Sequence, residues 1–167
     1  MLNGDLKCLK SSYLSIRSFR NRDKPRALFE KYFEEQQAKK RQVWLAWLKA
    51  DLAAYVTLNW HSNYQPFLDN KIPELMDLKV LPPYRKQGIG SQLMDIAEAR
   101  AAQKSALIGI GVGLYDGYGE AQKLYVKRGY IPDGRGPTYR YVKLDYDQLV
   151  RVDDNLVMWF TKSLTTF

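Results

Sequence analysis

The chain has 167 residues, with 26 lysines and arginines against 18 aspartates and glutamates, for a net charge of +8. That length suits a single domain over 1–167, able to bury a core without staples. The lone cysteine, Cys8, excludes an intramolecular disulfide and suits a reducing cytoplasm. No apolar run nears the roughly 20 residues that span a bilayer, and Met1 to Lys10 lack a signal-peptide apolar region, so no membrane partner is expected.

In chain order, Tyr13 to Arg17 alternates apolar and polar residues and predicts a first strand. Pro25 opens a helix in which Leu28, Phe29, Tyr32 and Phe33 share one face. The basic run Lys39-Lys40-Arg41 follows as the solvated end of that helix. Val43 to Leu48 and Leu52 to Trp60 read as two strands joined by a tight turn. His61 to Lys71 is a polar loop, and its histidine, the only one, has no nearby metal-ligand partners. No metal is expected.

Glu74 to Val80 is the next strand, and Ser91 to Lys104 is a helix with Leu93, Ile96, Ala97 and Ala101 in a stripe. Ala106 to Val112, almost continuously apolar, predicts a strand buried on both faces. A second helix spans about Gly119 to Arg128, with Gly129 as its stop, and Tyr139 to Leu144 and Leu156 to Thr161 are closing strands. Helices and strands alternating in the middle, with strand pairs at both ends, imply an α/β fold: a mixed sheet of about seven strands with helices on both faces.

The chemistry concentrates between Val80 and Ser91, where Val-Leu-Pro-Pro-Tyr-Arg-Lys-Gln-Gly-Ile-Gly-Ser joins a strand end to a helix start. A helix N-terminus presents unpartnered N–H groups and about half a positive charge, which suits an anion. Gly88 and Gly90 remove side chains where a phosphate would approach the backbone, while Arg85 and Lys86 add charge. No lysine follows Gly90, so the phosphate loop of nucleoside triphosphatases does not fit. Leu93 stands where a dinucleotide fingerprint needs its third glycine.

The pattern R-x-x-G-x-G after V-x-P-P resembles the acyl-CoA-binding signature of the GNAT superfamily, the acyl-CoA-dependent N-acyltransferases. Ala121 to Tyr130, reading Ala-Gln-Lys-Leu-Tyr-Val-Lys-Arg-Gly-Tyr, resembles the A-x-x-L-Y-x-x-x-G-[FY] ending of the same family. The likeness is strongest over residues 74–130. It implies a GNAT-like domain that takes acetyl-CoA as cosubstrate and acetylates a primary amine by direct attack in a ternary complex. It assigns the pyrophosphate to Arg85, Lys86, Gln87, Gly88, Ile89, Gly90 and Ser91, and carbonyl polarisation and the pantetheine arm to backbone groups of Leu78 and Val80.

The same resemblance makes Tyr125 the general acid and Glu74 the general base acting through water. Asp77 competes with Glu74, although strand alternation puts the two on opposite faces. The family's frequent asparagine three positions before Ala121 is Tyr118 here, in a glycine-containing connection from Gly113 to Gly119 that could face the acceptor.

Other readings stay open at this level. The basic balance and Trp44, Trp47 and Trp60 suit a nucleic-acid-binding module, although tryptophans in strand patterns belong in a core. A silent CoA sensor would bind CoA and release no thiol. Aminoacyl-tRNA is an alternative substrate, the identity of the amine is not in the sequence, and a homodimer is left open.

Overall fold

The computed structural model describes residues 6–10 and 26–164. Along the chain lie β1 Leu6–Lys10, α1 Arg26–Gln37, β2 Arg41–Leu48, β3 Asp51–Asn59, α2 Gln65–Asp69, β4 Glu74–Val80, α3 Ile89–Ala102, β5 Leu107–Gly113, α4 Gly119–Lys127, β6 Ile131–Tyr139, β7 Val142–Lys143 and β8 Leu156–Ser163. They form two compact units, Met1–Trp60 with Leu75–Arg100, and His61–Glu74 with Ala101–Phe167.

In the first unit the strand order is β1-β2-β3-β4. β2 and β3 pair antiparallel, with Val43 opposite Thr57 and Leu45 opposite Tyr55. Lys49 takes a left-handed φ of 56° in the two-residue turn between them. The helical spacing of Phe29 and Tyr32 brings both rings onto Val43, Leu45 and Tyr55, all buried, with Phe29 edge-on to Tyr55 at 5.7 Å. Trp44 joins the core and Trp47 packs against it, so neither tryptophan is an exposed stacking platform.

In the second unit the order is β5-β8-β6-β7, with β8 antiparallel to both β5 and β6. Ile108, Ile110 and Val112 of β5 are buried. The intervening residue Gly109 is covered by Phe67, whose Cε2 would stand 2.1 Å from an added Cβ. Both faces of β5 are therefore filled, as its apolar run predicts. Phe67, Tyr64, Ile72 and Trp159 make the core of this unit.

The helices predicted around the two motifs form with ends shifted by one or two residues, and Gly129 ends α4 in the left-handed conformation (φ 85°). Three expectations differ, and two others cannot be compared. The predicted strand at Tyr13 to Arg17 and the helix-opening Pro25 lie outside the described residues. The stretch predicted as loop from His61 contains α2, which starts at a proline-compatible first turn and seats Phe67. Arg41 is not a solvated helix end: it is 5% exposed and opens β2. Finally, Tyr139 to Leu144 is not one strand but a turn through Arg140 and Tyr141, both at positive φ, into the short β7.

The sequence reading assigns no strand over Leu6–Lys10, where β1 forms, and it also conceals β6. Its glycines and prolines read as loop punctuation, because the strand is interrupted and pairs with β8 only on either side of a bulge.

No described helix is long and apolar enough to cross a membrane.

Candidate active site

The first unit carries the strand, turn and helix start that the sequence singles out as a candidate anion cradle. β4 ends at Val80, and Leu81 stays attached to β3 through its N–H, which donates to Ala53 O at 2.9 Å. Pro82–Tyr84 makes one 3-10 turn, and Lys86 and Gly88 take left-handed φ values of 59° and 79° to swing the chain into α3. Arg85 donates from Nε to Val80 O at 3.1 Å, which fixes the guanidinium beside the strand end and leaves the side chain exposed. Gln87 closes the turn by donating to Pro83 O at 3.2 Å. Gly88 O accepts the N–H of Gln92 at 3.1 Å, so the helix begins there with its first N–H groups free of intrahelical partners.

The two glycines serve different ends. An added Cβ on Gly88 would meet nothing within 4 Å, whereas one on Gly90 would stand 3.3 Å from Val80 Cγ2. Gly88 thus supplies the turn and the open approach, and Gly90 lets α3 start close against β4. Ile89 between them is buried and anchors the helix, and Ser91 is half-buried in the first turn. Exposed cations, a left-handed glycine and a 14-residue helix N-terminus fit a pyrophosphate.

On the same strand Leu78 and Val80 are half-buried, and Asp77 has a φ of 51°. That left-handed residue breaks the pleat on which simple alternation of faces depends. Asp77 accepts a hydrogen bond from the Tyr32 hydroxyl. Burial first, and the Asp77 charge second, push the Tyr32 phenol far above its ordinary pKa, so it stays a donor. Below it, Arg41 lies 4.4 Å over the Tyr32 ring, pairs with Glu35 at 2.5 Å and donates to Thr57 Oγ1 at 2.7 Å. The buried guanidinium is thereby satisfied on several sides.

The second unit carries Glu74 and Tyr125. Glu74 is 3% exposed, and its Oε2 accepts the Ser62 hydroxyl at 2.6 Å. Ser62 Oγ in turn accepts the N–H of Tyr64 at 3.0 Å. The sequence gives no hint of Ser62, since a single serine in a polar loop has no pattern of its own.

Tyr125 sits on α4 and is 6% exposed, its ring 6.0 Å from that of Tyr130. No hydrogen bond among the described residues uses its hydroxyl. Buried polar groups are normally paired, so a buried phenol with no protein partner is suited to meeting a ligand. Burial, with a smaller contribution from Tyr118, raises its pKa well above the ordinary phenol value. Tyr118 itself covers Gly113, where an added Cβ would lie 2.5 Å from the Tyr118 ring. It packs edge-on to Tyr115 at 5.1 Å, and Tyr115 donates to Asp154 at 2.6 Å.

Sequence reasoning also missed Asp133, Arg135 and Trp159, which with Tyr64 form a polar and aromatic cluster on β6 and β8. The Asp-Gly-Arg-Gly run over 133–136 was its only legible trace. His61 is exposed, and the described residues contain no group of three or more His, Cys, Asp or Glu side chains that could hold a metal ion.

The family model described as Acetyltransferase (GNAT) family matches residues 10–130. No curated protein matches the sequence. Among solved structures, a GNAT family acetyltransferase from Elizabethkingia anophelis with acetyl-CoA bound superposes with a TM-score of 0.63 at 15% identity, covering 95% of this chain and 98% of its own. A spermidine/spermine N-acetyltransferase from Vibrio cholerae, in complex with manganese ions, gives 0.65 at 13% identity over 96% and 93% of the two chains. A ribosomal L7/L12 α-N-protein acetyltransferase gives 0.69 at 11% over 98% and 96%. The fold is that of these enzymes, the mixed α/β sheet that the element order predicts.

Proposed function

Because the chain belongs to the GNAT acetyltransferase family, we propose that it moves the acetyl group of acetyl-CoA onto a primary amine by direct attack, with both substrates bound at once. Acetyl-CoA supplies a thioester carbonyl activated toward nucleophiles. The cradle from Arg85 through Ser91 holds its pyrophosphate, and backbone groups of Leu78 and Val80 hold the pantetheine arm and polarise the carbonyl. Such donors are fixed before charge develops on the oxygen, so no reorganisation opposes the step.

Glu74 takes one proton of the incoming ammonium through water, the amine nitrogen bonds to the carbonyl carbon, and the C–S bond breaks as the nitrogen gives its second proton to water. Tyr125 gives its proton to the departing thiolate and is reprotonated from solvent. Amine and acetyl-CoA become amide and CoA thiol, with no other co-reactant. For an ordinary phenol near 10 and a thiol near 8.5 the proton transfer is uphill by about 2 kcal/mol. Burial of Tyr125 widens that gap. The benefit of the site is therefore a phenol that is always protonated and held in place.

One observation carries this reading: the Tyr125 hydroxyl is buried and finds no hydrogen-bond partner among the described residues. The acceptors named for similar proteins, spermidine or spermine and a ribosomal protein, are amines of very different size. They support an amine acceptor and do not select one. With a single cysteine, the cytoplasm is the compartment proposed. The test is release of CoA thiol from acetyl-CoA against amino acids, polyamines, aminoglycosides, peptides and aminoacyl-tRNA. Thiol release that depends on an amine, with matching amide by mass spectrometry, is the expected result. Saturable acetyl-CoA binding with no thiol release from any acceptor would instead mark a CoA sensor.

A further inference from the structure

β6 contains a built irregularity. Pro132 pairs with Phe160 and Pro137 with Met158, so four residues, Asp133 to Gly136, stand opposite Trp159 alone. Gly134 and Gly136, both at φ 80°, make the excursion sterically accessible. Asp133 holds it closed. Its side chain is 1% exposed, its Oδ1 accepts the Arg135 N–H at 3.0 Å, and its Oδ2 accepts the Tyr64 hydroxyl at 2.9 Å and Arg135 Nη1 at 3.3 Å. Arg135 is half exposed, and the other edge of its guanidinium has no partner among the described residues.

Beside this bulge lies a cavity of about 460 Å³ whose lining includes Arg135, Lys143, Thr138, Tyr64 and Tyr141. Packing holds the rings of its aromatic wall. Tyr64 lies parallel to the Trp159 indole, 4.1 Å away with 3° between planes, and Tyr141 stacks on Trp159 at 5.8 Å. The indole N–H donates to Thr138 Oγ1 at 2.8 Å, which fixes the ring that both tyrosines use. Tyr141 reaches it because Arg140 and Tyr141 both adopt left-handed backbone, φ 51° and 68°. That conformation is costly for residues other than glycine or asparagine and persists where the surrounding structure demands it. Lys143 makes no ion pair among the described residues. The cavity therefore has flat apolar walls, a guanidinium edge and an ammonium, and the neighbouring acid, Asp133, is already committed to Tyr64 and Arg135.

We propose that this cavity binds a small molecule in which a carboxylate or phosphate adjoins a flat or apolar body, the anion on Arg135 and Lys143 and the body along Tyr64 and Tyr141. On the acetyltransferase reading, on which this assignment of role rests, that molecule is the amine acceptor. Tyr64 connects the cavity to the proposed base, since its N–H donates to Ser62 Oγ and Ser62 donates to Glu74. A planar guanidinium edge recognises carboxylate and phosphate in pairs of hydrogen bonds, and the same two cations repel a polyamine. The acceptor class is then an anionic amine rather than a polycation.

Calorimetric titration of matched pairs tests this: L-phenylalanine against phenethylamine, and O-phosphoethanolamine against ethanolamine. At least one anionic member should bind at least tenfold more tightly than its partner, and the pair that responds separates carboxylate from phosphate. Arg135→Gln and Lys143→Gln should each weaken that binding about tenfold, Lys143→Arg should retain it, and acetyl-CoA affinity should be unchanged. Equal binding of both members of each pair, preferential binding of spermidine, or variants that bind the anion as the parent does would overturn the proposal. Thiol release is read separately: an anionic amine that binds but is not acetylated, while another amine such as spermidine is, removes the cavity's acceptor role and keeps the transfer, whereas no thiol release from any amine removes the transfer reading and leaves anion binding in the cavity to the titration.

Discussion

The Ser62 hydroxyl donates to Glu74 Oε2 across 2.6 Å, with both residues buried. A buried carboxylate that moves a proton must keep its orientation, and this bond supplies it. Glu74→Gln keeps the shape and the bond but cannot accept a proton. Its kcat should fall about 10²- to 10⁴-fold, most at low pH where little amine is already neutral. Ser62→Ala should lose less, and Asp77→Asn less than Glu74→Gln. Steady-state profiles from pH 6 to 9 check the ranking, and a larger loss in Asp77→Asn would move the base to Asp77.

Gly90 faces Val80 Cγ2, with 3.3 Å available for a Cβ that is not there. Gly90→Val has to push α3 off the strand end and so displace the N–H groups of the cradle. Acetyl-CoA should cease to raise its melting temperature, whereas in the parent the ligand stabilises by mass action. A variant that is still stabilised by acetyl-CoA to the parent's extent would contradict the cradle.

Gly109 and Phe67 give a prediction about stability alone. A methyl group at Gly109 would stand 2.1 to 2.7 Å from three atoms of the Phe67 ring. Gly109→Ala should cost about 1–3 kcal/mol in denaturant unfolding, the range typical of overpacking. Phe67→Leu in the same chain should cost less than its separate effect would add, because the two residues share one space.

Those two glycines also show what was legible in the sequence. The strand, turn and helix start from Val80 to Ser91 were readable because they are contiguous within twelve residues, each with a local signal. Tyr125 was readable as part of a helix ending in Gly129. The filling of Gly109 by Phe67 was not, since it joins an apolar strand to a loop that looked polar, and α2 has only five residues. Arg41 was misassigned for the same reason. Its neighbours Lys39 and Lys40 are solvated, and only the tertiary partners Glu35, Thr57 and Tyr32 explain its burial. The bulge at 133–136 hid β6, because glycine and proline carry the same local message in a bulge as in a loop.

Buried phenols set the alkaline limit of the fold. Tyr32, Tyr64 and Tyr125 are all buried, and desolvation is the first cause that raises each pKa. A raised folded-state pKa means that stability is intact below the unfolded value near 10 and is lost as pH climbs from there toward the folded value. Unfolding free energy should therefore be flat with respect to these groups from pH 7 to 9 and should fall beyond about pH 10. Tyr125→Phe should make that fall shallower. Denaturant melts at pH 8 to 11 measure both slopes, and equal slopes for the two proteins would mean that Tyr125 titrates as an exposed phenol.

The account depends most on what the Tyr125 hydroxyl does. Tyr125→Phe removes one buried oxygen that has no hydrogen-bond partner among the described residues, so the packing against Tyr130 should survive. Single-turnover acetyl transfer, followed by rapid quench with any acceptor the parent uses, isolates the chemical step from binding and release. The variant should bind acetyl-CoA and melt within a few degrees of the parent, while its transfer rate falls about 10²- to 10⁴-fold. A variant that transfers acetyl at the parent's rate would contradict the role of Tyr125 and leave protonation of the thiolate to water.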